Sequence, residues 1–283
     1  MREAMRGYFE QSFDLNDPTL VSVYDELPLW AAPFGLALLN TVKLRANIKV
    51  LDIGCGVGFP LLELSQRLGT TCHVFGLDPW DGAIERVKLK IQKYNVKNAT
   101  IISGIAEKIP FDDNYFDLIV SNNGLNNVAD NKASLAECFR VCCGGAQMVI
   151  TMNLPETMME FYDVFEETLK ELGMKSEIQK MHDQISLKRK PLKETKDMLT
   201  NSGFEIVGIS DDFFKMRFLN GSAMLNHYFI RLAFLDGWKN ILQIGDIDRV
   251  FAILEDRLNK QAEESGQLCL TIPFVCIDCK KPE

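Results

Sequence analysis

The sequence predicts an α/β protein: a doubly wound, mostly parallel seven-stranded sheet with helices on both faces and helical insertions in the C-terminal half. Three observations predict it. Short apolar runs alternate with helix-periodic stretches over residues 46–153, a glycine-rich turn follows the first of these runs, and the alternation breaks after Asn153. Repeated strand–helix alternation implies parallel strands, because each return to the sheet crosses over one of its faces.

The elements follow in order. Residues 48–53 form a short apolar run, and the turn after it leads into a helix from Pro60, whose missing N–H suits a first helical position. A second strand at residues 72–77 stops at Asp78. Asp81 is placed to cap a helix whose apolar residues Ile84, Val87, Ile91 and Tyr94 recur every three or four positions. Further strands are expected at residues 99–103, 116–121 and 147–152, with a helix carrying Leu135, Cys138, Phe139 and Cys142 before the last of them. Beyond Asn153, residues 155–172 and 193–201 read as helices, the second stopped by Gly203. Residues 204–210 read as a strand, and 213–264 as an aromatic-rich, mostly helical stretch with Val250, Ile253, Leu254 and Leu258 on one face. Residues 268–277 close the sheet.

Composition narrows the function classes. The net charge of −8 and pI of about 5.1 disfavour a phosphate backbone as partner, and the basic run Lys188-Arg189-Lys190 reads as a solvated helix end. No stretch approaches the roughly 20 apolar residues of a membrane span. The first residues lack a signal-peptide run, so a cytoplasmic protein is expected. The eight cysteines fit a reducing compartment, with Cys276 and Cys279 as a lone CxxC, and His73, His182 and His227 are scattered; no metal is expected.

Val50-Leu51-Asp52-Ile53-Gly54-Cys55-Gly56-Val57-Gly58 carries the chemistry. Glycines let the chain turn sharply and a ligand approach its backbone, at the strand ends where open α/β sheets bind ligands. A dinucleotide fingerprint starting at Gly54 would need glycine at position 59, which is Phe59. Asp52, two residues before the first glycine, suits a cation better than a pyrophosphate. S-adenosyl-L-methionine (SAM) offers a sulfonium and an ammonium. Asp78, 20 residues after Gly58, could accept both ribose hydroxyls of either nucleoside.

With Gly76-Leu77-Asp78, Ala106-Glu107-Lys108-Ile109-Pro110-Phe111 and Phe116-Asp117-Leu118-Ile119-Val120-Ser121-Asn122, the chain resembles the class I (Rossmann-like) SAM-dependent methyltransferases, of the small-molecule type that includes quinone-biosynthesis enzymes. The likeness covers residues 45–153, with a weaker trace at 199–207. It implies that Asp52 organises the methionine end and that Gly54, Cys55, Gly56 and Gly58 line its approach. Asp78 would bind the ribose, Pro79 and Trp80 would flank the adenine, Ala106 and Glu107 would lie along the adenine edge, and Ser121 and Asn122 would sit near the ammonium and sulfonium. Ile105 stands where many relatives have Asp. Leu125-Asn126-Asn127-Val128 stands where relatives often carry two histidines; neutral amides orient an acceptor but are not bases near neutral pH.

The resemblance implies one integrated domain: a lid at residues 1–45, a SAM-binding core at 46–153, and the rest of the sheet with a helical cap at 154–283. It implies transfer of a methyl group to an unidentified small molecule, with S-adenosyl-L-homocysteine (SAH) as product; the charge argues against a nucleic-acid partner, and a homodimer is open. Acceptor-side candidates are Tyr24, Trp30 and Phe34 before the first core strand, Asn126, and His227, Tyr228 and Arg231, with His227 the one candidate base. Each also has a structural reading: turn glycines, a helix-capping Asp78, a packed Trp80, a turn at Asn126 and Asn127, aromatics buried by inserted helices. Cys142 and Cys143 invite comparison with thiol-rich arsenic methyltransferases, but a helix end before Gly144-Gly145 makes them structural. Two other function classes stay open: a noncatalytic SAM-binding protein, and an NAD(P)-dependent oxidoreductase, which leaves residues 106–111 without a purpose.

Overall fold

A computed structural model describes residues 14, 16–24 and 29–283; the side chains of Leu20, Val23 and Tyr24 lie outside the described set. In chain order the elements begin with α1 (Pro18–Tyr24), α2 (Ala31–Thr41), β1 (Lys49–Ile53), α3 (Leu61–Leu68), β2 (His73–Asp78), α4 (Asp81–Lys93), β3 (Ala99–Ser103), β4 (Phe116–Asn122), α5 (Asn131–Val141) and β5 (Cys142–Asn153). They continue with α6 (Met159–Glu171), α7 (Lys175–Lys188), α8 (Leu192–Asn201), β6 (Glu205–Phe218), α9 (Gly221–Asn226), α10 (Tyr228–Ile230), a π-turn at Arg231–Leu235, α11 (Asp236–Lys239), α12 (Ile247–Ser265) and β7 (Leu268–Lys280).

The seven strands form one sheet in the order β3-β2-β1-β4-β5-β7-β6. The pairs β3–β2, β2–β1, β1–β4 and β4–β5 are parallel, and β7 runs antiparallel to β5. The central strand is apolar on both faces because both are covered. Leu51 and Ile53 pack in a cluster with Leu135 and Cys138 of α5 and Leu199 of α8, while Val50 packs with Leu38 of α2, Leu61 and Leu64 of α3 and Val87 of α4. Cys276 and Cys279 belong to opposite clusters, so the CxxC spacing places the thiols on different sides of the sheet. All eight cysteines are free thiols.

The chain forms two compact units. The sheet unit comprises Asp14–Leu154, Arg189–Asp212 and Phe274–Glu283; the other includes Pro155–Lys188 and Phe213–Pro273. The second unit has its own aromatic core. Phe161 of α6 stacks on Trp238 at 3.9 Å between ring centres, the Trp238 indole N–H donates to the Tyr162 hydroxyl at 3.0 Å, and Val250, Phe251, Leu254 and Leu258 of α12 are buried.

Several local expectations are corrected. Trp80, not Asp81, occupies the cap of α4, and the Asp81 carboxylate accepts from the Ser103 hydroxyl instead. Pro60 is the cap of α3 rather than its first residue. The helix expected from residue 155 starts at Met159, after Met158 in the left-handed region (φ 60°). Cys142 opens β5 instead of closing α5. Residues 213–218 are strand, not helix: β6 runs on through the polar Ser210-Asp211-Asp212, which read as its end. α7 was not foreseen; its polar composition hides a stripe of two buried residues, Glu177 and Met181.

Candidate active site

β1 ends mid-sheet with β2 on one side and β4 on the other, and this reversal of strand order opens a crevice at the carboxyl ends. The chain leaves β1 through Gly54 (φ 71°) and Gly58 (φ 105°), backbone that side-chain-bearing residues rarely adopt. A Cβ on Gly54 would lie 2.9 Å from the Gly124 Cα, so this turn and the loop after β4 meet backbone to backbone. Phe59, where a dinucleotide motif needs glycine, fills the space beside Gly35 of α2, whose Cβ would fall 2.2 Å from the ring.

Two carboxyl groups face this turn from adjacent strands. Asp52 is 0% exposed, and neither of its oxygens has a hydrogen-bond partner among the described residues. Burial, then the charge of Asp78, push its pKa well above the usual carboxylate range; the Leu61 N–H pulls it down without closing a well-formed bond. Asp78 accepts the Gly56 N–H at 2.8 Å through Oδ2 and the Trp80 N–H at 2.9 Å through Oδ1. Burial raises its pKa, and those two N–H groups oppose the rise. A crevice holding two carboxyls with raised pKa values rejects another anion and is relieved by a cation. The residues therefore fit a positively charged nucleoside and not a diphosphate.

The surrounding loops are held by named side chains. Lys90 of α4 donates to the Val57 carbonyl at 2.9 Å. Arg140 of α5 donates to the carbonyls of Ile109 and Phe111 at 2.9 and 2.8 Å, and Glu137 accepts the Ile109 N–H at 2.8 Å. Asn122 donates to the Ala31 carbonyl at 3.2 Å and accepts from the Thr151 hydroxyl at 3.0 Å, so the start of α2 is tied to the end of β4.

A model of the family described as methyltransferase domain matches residues 44–203. The chain belongs to the methyltransferase family. It is 30% identical over 177 residues to demethylmenaquinone methyltransferase of Oceanobacillus iheyensis, a match covering 60% of this chain and 74% of that protein. Its match to demethylmenaquinone methyltransferase of Staphylococcus epidermidis is also 30% identical and spans 45% of this chain but only about half of that relative, 52%. The YcgJ protein of Bacillus subtilis shares the fold, with a TM-score of 0.57 at 16% identity over 89% of this chain and 99% of that one. Membership of the methyltransferase family sets aside the oxidoreductase left open on the sequence.

In this methyltransferase the motif residues do not all offer free side chains. Asp52, Gly54, Gly56, Gly58 and Asp78 converge on the turn, with exposed Pro79 and half-buried Trp80 opening α4 beside it. The Cys55 thiol does not: it is buried with Leu61 and Val74, leaving only its backbone to the turn. Ser121 donates to the Ile53 carbonyl at 2.9 Å and accepts the Leu125 N–H at 3.2 Å, which commits its hydroxyl to joining β1 and β4. The Glu107 carboxylate receives the N–H groups of Ala129 and Asp130 at 2.8 and 3.0 Å, which fixes the entry to α5. Ala106 is buried in the core beside Ile109.

On the acceptor side, Phe34 is fully buried and packs on Phe274 at 4.8 Å, so it is core rather than cavity wall; Trp30, half-buried, lies 5.8 Å from it. The Tyr24 side chain lies outside the described residues. Asn126 donates its amide N–H to the side-chain oxygens of both Asn123 and Asn153, and its own Oδ1 is buried without a donor. Asn123 also accepts the Asn153 N–H at 3.2 Å. Asn123, Thr151 and Asn153 were missed on the sequence; their only local signal was a run of amides and a hydroxyl at two neighbouring strand ends.

His227, Tyr228 and Arg231 belong to the second unit, at the junction of α9, α10 and the π-turn. Burial lowers the His227 pKa, its Nδ1 has no hydrogen-bond partner among the described residues, and its ring meets Phe218 edge-on at 5.3 Å. Burial raises the Tyr228 pKa against the pull of Arg231. Among the described residues no helix is long and apolar enough to cross a membrane, and no three His, Cys, Asp or Glu side chains gather as metal ligands would.

Proposed function

We propose that the turn after β1 holds SAM, with Asp52 facing its positively charged methionine end, Asp78 its ribose, and Pro79 and Trp80 its adenine. The observation that carries this assignment is the wholly buried, unpartnered Asp52 carboxyl beside a second raised carboxyl. Gly54, Gly56 and Gly58 bring the backbone close. Ser121, Glu107 and Ala106 act one step removed, by holding the crevice open in the right shape. Bound SAM supplies an activated methyl group, so the protein's own work is alignment and exclusion of water.

The acceptor is a small molecule with a hydrogen-bond donor that Asn126 Oδ1 can receive, its amide orientation fixed by Asn123 and Asn153. The names of the relatives make a hydroquinone ring the first class to try. A net charge of −8 supports a small acceptor over nucleic acid. Free thiols throughout support a cytoplasmic setting. The test is SAH formation from SAM with 1,4-dihydroxynaphthalene and a panel of amines, thiols and phenols. Turnover with the hydroquinone and loss of it in Asn126→Ala are expected; turnover only with amines or thiols refutes the acceptor class and leaves the SAM site standing.

A further inference from the structure

The register between β4 and β5 stops at the pair Asn122 and Thr151. The next residue, Asn123, enters the left-handed region (φ 59°), which asparagine tolerates better than most side-chain-bearing residues. Its N–H donates to the Thr151 carbonyl at 3.0 Å and to the Thr151 hydroxyl oxygen at 3.1 Å. Its side-chain Oδ1 accepts the Asn153 N–H at 3.2 Å. Gly124, which follows it, meets Gly54 of the turn after β1, so these strand ends border the crevice.

A carboxamide has an acceptor at one end and donors at the other, and its partners decide which faces where. A backbone N–H can only donate. The Asn153 N–H therefore fixes the Asn123 oxygen, since turning that amide over would set N–H against N–H. The fixed oxygen in turn calls for a donor, and Asn126 supplies its Nδ2 to it and to the Asn153 side-chain oxygen. The Asn126 oxygen is left over, buried and with no donor among the described residues. The backbone of β5 thus dictates the polarity of Asn126 through one intermediate side chain.

We propose that Asn123 is a specificity-determining, positioning residue. It holds Asn126 so that the site presents an oxygen, and the site thereby selects a small molecule with a free hydroxyl or N–H over the same ring without one. The proposal rests on the reading of Asn126 as facing the acceptor. Equilibrium binding of 1,4-dihydroxynaphthalene and of 1,4-difluoronaphthalene, which is close in size but has no donor, to the SAH-saturated full chain tests it. The readout is the ratio of the two affinities. Asn123→Gly keeps the left-handed backbone and removes the oxygen, and should cut the diol's relative affinity about fivefold or more. Asn123→Asp, whose ionised carboxylate can only accept, should keep the wild-type ratio. SAH affinity and circular dichroism should match wild type in both. A ratio that falls in Asn126→Ala but stays intact in Asn123→Gly overturns the positioning role and leaves the reading of Asn126. A ratio unmoved by Asn126→Ala, or a wild type that binds neither naphthalene, overturns both. If Asn123→Gly does not fold, Asn123→Asp decides alone, and loss of the wild-type ratio there overturns the proposal.

Discussion

Asp52 and Asp78 do different things although both carry carboxyl groups with raised pKa values. Asp78 organises the turn through the Gly56 and Trp80 N–H groups, so its removal costs loop order as well as ribose contacts. Asp78→Ala should weaken SAM binding by about 1–3 kcal/mol, roughly 5- to 150-fold, as read by calorimetry; unchanged affinity would remove Asp78 from the site. The Asp52 oxygens accept no hydrogen bond among the described residues. Asp52→Asn should therefore raise the melting temperature of the free protein by a few degrees while lowering SAM affinity. A fall in both would make Asp52 a structural residue. Asp52 and Asp78 stand out in the sequence as candidates because a carboxylate beside a glycine turn has few other uses. The loop contacts of Ser121 and Glu107 were not legible, because a hydroxyl or carboxylate looks the same in sequence whether it meets a ligand or a neighbouring loop.

The elements that hold the crevice were the most legible. β1 to β4 were foreseen to within a residue or so of their bounds, since short apolar runs bounded by glycine or acidic residues are what doubly buried parallel strands require. The helices were legible where one face is apolar, as in α4 and α12, and invisible where it is not, as in α7. What periodicity cannot reveal is backbone touching backbone. Gly124 is such a place: a Cβ there would lie 2.5 Å from the Ile53 carbonyl oxygen and 2.8 Å from the Ser121 hydroxyl. Gly124→Ala should destabilise the protein by about 1–3 kcal/mol in denaturant unfolding and weaken SAM binding with it, because the turn must move. An unperturbed midpoint would mean that the β4 loop yields freely.

At the scale of the whole molecule, the raised carboxyls couple stability to pH. The folded chain holds protons on Asp52 and Asp78 that the unfolded chain releases near pH 4, so it binds more protons across that window. Stability from these groups is present below the unfolded pKa and is lost as pH rises through the folded values. SAM binding should run the other way, strengthening as the carboxyls ionise. The gap in melting temperature between SAM-saturated and free protein should widen as pH rises above the ordinary carboxylate range; a constant gap would separate the cation from the carboxyls. The aromatic wealth of residues 213–238, legible only as richness, is in part the core of the second unit, where Trp238 is 1% exposed.

The binding of a cationic nucleoside by the β1 turn is tested most directly by titration calorimetry of SAM and SAH into the full chain, near about pH 6 in two buffers of different ionisation enthalpy. Saturable SAM binding is expected, with protons released to the buffer by the wild-type protein and fewer released by Asp52→Asn. No binding heat with either nucleoside in either buffer would contradict the assignment of the site.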